Sequence, residues 1–101
     1  MSINEKLKNS MNDQLFKAIL SLTTLEECYA FFEDICTVNE LKSLSQRLHV
    51  AHMLQAGESY DEIVEQTGAS TATISRVKRS LLYGADGYQL VLDRIEEKSI
   101  R

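Results

Sequence analysis

No proline occurs in the 101 residues, and glycine occurs only four times, at Gly57, Gly68, Gly84 and Gly87. A chain without proline keeps every backbone N–H, so nothing in it forbids long helices. Glycine, which adopts positive φ at little cost, is then the one strong stop signal, and the four positions are expected to mark helix ends. Start signals are equally plain. Thr24 and Glu27, Thr37 and Glu40, and Ser59 and Glu62 each place a hydroxyl three residues before a glutamate. In that pattern the hydroxyl accepts from an orphan amide and the acid answers the positive helix end. No segment alternates with period two for long enough to argue a strand. The expected fold class is all-α.

Apolar spacing predicts six helices. The first, near residues 3–21, puts Ile3, Leu7, Met11, Leu15, Ala18, Ile19 and Leu22 on one side. The second, near 25–35, carries Leu25, Cys28, Phe31, Phe32 and Ile35. The third, near 38–56, carries Leu41, Leu44, Leu48, Ala51 and Leu54, widened by Val50 and Met53. A short fourth near 60–67 has Ile63 and Val64, the fifth near 71–83 has Ile74, Val77 and Leu81, and the sixth near 88–98 has Tyr88, Val91, Leu92 and Ile95. The length suits one domain, since domains run to roughly 100–200 residues. The first three helices carry more apolar face than a chain this small covers by itself, which predicts a homodimer.

Composition excludes several classes. No run of about 18 apolar residues exists, so no membrane span is expected, and the start MSINEKLKNS lacks the apolar region of a secretory signal. The protein is therefore expected to be cytoplasmic. Cys28 and Cys36 have neither metal-ligand nor redox spacing and read as two small buried hydrophobes. His49 and His52 stand three apart with no third ligand near them in sequence, so no metal is expected. No nucleophile motif and no phosphate-cradling glycine loop occurs, so neither catalytic residues nor an enzyme are expected.

A net charge of −4 argues against a uniformly basic nucleic-acid binder, but the distribution is uneven. Residues 58–69 hold Glu58, Asp61, Glu62 and Glu65, a local −4, while residues 70–83 hold Arg76, Lys78 and Arg79, a local +3. A phosphate backbone feels the local patch. The segment YDEIVEQTGASTATISRVKRSL reads as a short helix ended at Gly68, a tight turn, and a longer helix capped by Ser70. Ile63, Ile74 and Val77 are spaced to meet between the two. This is a helix-turn-helix layout, whose second helix enters the major groove N-terminus first. Small side chains at its start permit close approach to base edges, and hydroxyls and methyl groups can read them. Ser70, Thr71, Ala72, Thr73, Ser75, Arg76, Lys78 and Arg79 are the candidate DNA-binding residues.

The stretch TVNELKSLSQRLHVAHMLQAGESYDEIVEQTGASTATISRVKRSL resembles the Trp repressor superfamily, and looks closest to its YerC/YecD-type TrpR-like branch. The resemblance implies an intertwined homodimer with six helices per chain. It also implies residues 1–57 as dimerisation helices, 59–83 as the helix-turn-helix and 86–101 as a C-terminal dimerisation helix. The function implied is a repressor that binds palindromic operator DNA. In the family, a tryptophan pocket at the base of the reading head matches Thr37, Arg47, Arg76 and Ser80 here. Val77 stands where the family has glycine beside that ligand, and Asp34 where it has an apolar residue. Asp61 and Val64 replace basic residues of the family's first reading helix. Because Val77 and Asp34 crowd that pocket, no cofactor is expected and free L-tryptophan should bind weakly or not at all, although L-tryptophan or another small corepressor stays open as a ligand; Arg47 and Arg76 read instead as structural or phosphate contacts. Two other readings remain open: a helical protein-interaction module without DNA binding, favoured by the acidic fourth helix, and a small-molecule sensor built on Arg47 and Arg76.

Overall fold

Side-chain caps set where the chain turns helical. The computed structural model describes residues 3–100, with side chains through residue 96. After a 3-10 turn at Glu5–Leu7, the helices are α1 (Ser10–Leu20), α2 (Leu25–Ile35), α3 (Val38–Gln55), α4 (Tyr60–Thr67), α5 (Thr71–Tyr83) and α6 (Gly87–Ile100). The Thr37–Glu40 box is fully reciprocal: the Glu40 amide donates to Thr37 Oγ1 at 3.1 Å and the Thr37 amide to Glu40 Oε1 at 2.8 Å. The amide of Glu27 donates to Thr24 Oγ1, but the Glu27 carboxylate reaches one residue further back and accepts from both the amide and the hydroxyl of Thr23. The Thr23 amide holds the Glu27 carboxyl below its ordinary range, and the Thr37 amide does the same for Glu40.

One continuous helix over residues 3–21 is not what forms. Asn9 takes an extended conformation and its side chain accepts from the amide of Asn12 at 2.8 Å, starting α1 at Ser10. The apolar period runs through this break, but a capping asparagine overrides it. Gly87 also departs from the expectation that each glycine ends a helix, because it opens α6. The residue before it, Asp86, takes the left-handed conformation with φ 65°, and its carbonyl accepts the Leu90 amide.

The backbone divides into two units, with the boundary inside α3 after Lys42. In the N-terminal unit, residues 3–42, no residue is buried. Phe31 and Phe32 meet edge to face at 5.5 Å, whereas Leu20, Leu25 and Val38 are each at least 80% exposed. Cys28 and Cys36 are free thiols, half-buried rather than fully buried.

The C-terminal unit, from Ser43 onward, holds the buried core. Val50, Ala51 and Met53 of α3, Ile63 of α4, Ala69 of the turn, Ile74 and Val77 of α5, and Leu92 of α6 form it. Leu48, Leu54, Tyr60, Leu81 and Tyr88 pack against its edge. Ile63, Ile74 and Val77 thus meet as their spacing predicts, while Val64, Val91 and Ile95 keep between a third and a half of their surface exposed. Gly68 turns the chain at φ 72° and its amide donates to the Val64 carbonyl. The Gln46 side chain donates to the Thr67 carbonyl at 3.1 Å, tying α3 to the end of α4.

Gly84 and Gly87 differ in what a side chain would meet. A Cβ on Gly84 would fall inside contact distance of the Ser80 carbonyl oxygen, a backbone atom that cannot swing aside, whereas a Cβ on Gly87 meets nothing within 4 Å. Gly84→Ala should therefore lower stability by about 1–3 kcal/mol, the usual cost of overpacking. Gly87→Ala should leave stability unchanged or raise it by up to about 1 kcal/mol, since alanine is the better helix residue. Thermal melts followed by circular dichroism compare the two, and equal melting temperatures would contradict this account.

Candidate nucleic-acid interface and an adjoining cavity

Ser70 fixes the N-terminus of α5. Its Oγ accepts the Thr73 amide at 3.1 Å and donates to Thr73 Oγ1 at 3.1 Å. Two of the candidate DNA-binding side chains are thereby committed to capping. Thr71, Ala72 and Ser75 remain exposed around the first turn, with no acid anywhere on the helix. The orphan amides and the positive end of the helix dipole lie at this same end.

At about 3.6 residues per turn, α5 presents distinct sides. Ile74, Val77 and Leu81 face the core. Ala72, Ser75, Arg76, Lys78 and Arg79 border an open trough that continues to Leu82 and Tyr83. The cations differ in their surroundings. Lys78 Nζ sits 5.7 Å from the centre of the Tyr60 ring, a cation–π contact that draws it toward the start of α4. Arg76 and Arg79 are exposed and make no ion pair among the described residues. On α4, Asp61, Glu62 and Glu65 are exposed, so this helix carries unneutralised negative charge beside the positive one.

A second concavity lies on another side of α5. Ser43, Gln46 and Arg47 of α3, Thr73, Arg76, Val77 and Ser80 of α5, and Tyr88 of α6 enclose about 130 Å³. Three of the four residues matched to the family's ligand pocket, Arg47, Arg76 and Ser80, therefore line one cavity. Thr37 belongs to the N-terminal unit, and its hydroxyl and amide are both engaged with Glu40. Val77 lines the cavity and is 2% exposed, so its methyl groups serve the core and crowd the ligand space together. Sequence reasoning missed Ser43, Gln46 and Tyr88. The signal existed in part: Ser43, Gln46 and Arg47 recur at i, i+3 and i+4, and Thr73, Arg76 and Ser80 at i, i+3 and i+7, two facing stripes of polar residues.

His49 and His52 are exposed, and no group of three or more His, Cys, Asp or Glu that could hold a metal occurs among the described residues. No described helix is long and apolar enough to cross a membrane.

Comparison with known proteins agrees with this geometry. The uncharacterized protein YerC of Bacillus subtilis (strain 168) is 60% identical over 93 residues, covering 92% of this chain and 89% of its own. The crystal structure of a candidate Trp repressor from Staphylococcus aureus superposes with a TM-score of 0.90 at 57% identity, covering 94% of this chain and 96% of that one. A TrpR like protein from Eubacterium eligens ATCC 27750 gives 0.89 at 60% identity, covering 92% and 96%. The sequence family described as Trp repressor protein matches residues 10–96, from the first residue of α1 well into α6, and this chain belongs to that family.

Proposed function

We propose that the protein is a cytoplasmic, sequence-specific DNA-binding regulator of transcription, a repressor that binds palindromic operator DNA as a homodimer. The observation that carries the reading is the open face of α5. A capped helix N-terminus, small side chains at Thr71, Ala72 and Ser75, and the unpaired cations Arg76 and Arg79 converge there. Small residues let the helix approach base edges, and the cations answer phosphate. Membership of a family of DNA-binding regulators supports the same reading, and the protein acts by binding rather than by catalysis.

The dimer rests on the N-terminal unit. Forty residues none of which is fully buried, with Met11, Leu20, Leu25, Tyr29 and Val38 exposed, are what a chain leaves open for a second copy. Residues 1–57 and 86–101 then serve dimerisation and 59–83 serve reading. A protein-interaction module without DNA binding is the rival, and the acids of α4 are its best support.

The cavity favours a second role, sensing of a small molecule. Arg47 and Arg76 line it without a carboxylate partner among the described residues, which suits an anion. At about 130 Å³ it is well below the roughly 300 Å³ at which drug-sized pockets begin, so the anion is smaller than an indole amino acid.

Sedimentation at micromolar concentration should give about twice the 11.5 kDa chain mass, and monomer at every concentration would defeat the dimer. Against selected and scrambled duplexes, Arg79→Ala should weaken binding to all sequences and reduce the salt slope by about one. Ser75→Ala and Thr71→Ala should instead alter preference among sites by about 1–3 kcal/mol. Wild-type protein that prefers no duplex, with variants that bind as it does, would leave the interaction module as the better reading. Calorimetry with free L-tryptophan should show weak binding or none. Micromolar binding abolished by Arg47→Ala would mean that Val77 does not close the pocket.

A further inference from the structure

Leu82 and Tyr83, in the last turn of α5, are 63% and 81% exposed, and no core or cap contact explains them. Tyr83 follows Ala72 by eleven residues and Leu82 follows Ser75 by seven, so at about 3.6 residues per turn each stands on the same side of the helix as one of these two. The open trough begins at Ala72 and Ser75, passes Arg76 and Arg79, and ends on Leu82 and Tyr83. The candidate DNA-contacting residues read from the sequence extend only as far as Arg79.

We propose that the DNA-contacting face runs the whole length of α5, with the Tyr83 hydroxyl donating to a backbone phosphate and Leu82 lying against the neighbouring sugar. This rests on the DNA-binding reading above and extends it. Three observations favour it. The helix has 13 residues and is therefore about 20 Å long, so when its N-terminus enters a groove roughly 8.5 Å deep its last turn stands clear of the bases, where only backbone can meet it. The trough carries unpaired guanidinium groups and α5 has no acid, which suits a polyanion. An apolar protein partner would have to bury those cations without counter-charge. The exposed acids Asp61, Glu62 and Glu65 on α4 repel phosphate from that helix, which leaves the C-terminal end of α5 to provide the second backbone anchor.

Tyrosine there has a distinct signature. A neutral hydroxyl donates to phosphate without displacing a counterion, whereas an arginine displaces about one. The test is an anisotropy titration of the full chain against duplexes selected from a random pool by the wild-type protein, and against scrambled duplexes, at several salt concentrations. Tyr83→Phe should lower affinity about threefold to tenfold on every duplex, the loss of one hydrogen bond, with the salt slope unchanged. Leu82→Ala should also weaken binding, and Arg79→Ala should lower both affinity and slope. Sedimentation of each variant should give the wild-type mass. If Arg79→Ala weakens binding while Tyr83→Phe and Leu82→Ala bind as the wild type does, the face stops at Arg79; the DNA-binding reading stands and this extension falls. If Tyr83→Ala or Leu82→Ala halves the sedimenting mass, the surface belongs to a second copy and the proposal is wrong. If the wild type selects no duplex, both readings fail together.

Discussion

The packing of Ile63 against Ile74 and Val77 is the contact on which the rest of the C-terminal unit depends. These side chains are all but fully buried, and all three are β-branched. Such residues hold few rotamers, so the packing fixes the helices as well as the side chains. Fully burying each one is worth roughly 1.5–3 kcal/mol, a large share of the margin by which a small domain is stable. Gly68 makes the contact possible, because its left-handed turn brings α5 back onto α4 within a few residues. With the core side of α5 so fixed, its other sides have no freedom either. The cavity side and the open side are set by the same rotation.

The two halves of the chain use apolar residues differently. From Ser43 onward they converge into a core that needs no further copy to exclude water. Before it, Leu, Met and Phe recur at helical spacing and yet no residue among 3–42 is buried. Amphipathic stripes of that width form stable helices only when something covers them. The proposed homodimer answers this need, and it also accounts for the buried cluster among the described residues lying wholly from Ser43 onward.

Helix boundaries were legible because they are local. Thr24, Thr37, Ser59 and Ser70 each cap the helix that their spacing announces, and Gly57, Gly68 and Gly84 end the helices before them. The start of α1 is not legible in this way, because the apolar period runs straight through Asn9, whose capping role depends on a backbone conformation that periodicity does not report. The site was legible in part. The residues of α5 could be placed on a reading helix from spacing alone. That Thr73 is consumed by the Ser70 cap, that Lys78 leans on Tyr60, and that Ser43, Gln46 and Tyr88 close a cavity with Arg47 are all consequences of tertiary packing. No window along the sequence contains them.

Net charge and local charge point in opposite directions here, and distance decides between them. At physiological ionic strength exposed charges are screened beyond about 8 Å, so the −4 of the whole chain acts on a distant polyanion only weakly. Close to the surface, what a phosphate meets is Arg76, Lys78 and Arg79 on α5, or Asp61, Glu62 and Glu65 on α4. The two helices are neighbours in one unit and opposite in sign, so the attraction is confined to one helix face. For the proposed DNA reader such confinement has a use. A uniformly basic surface gains affinity for every sequence alike, because phosphate contacts carry no sequence information. A narrow cationic strip beside an acidic one gains little from backbone alone, and must rely on the small side chains at Thr71, Ala72 and Ser75 to complete the contact. In that arrangement the acids of α4 lower affinity for any DNA but raise the share of binding that depends on base sequence.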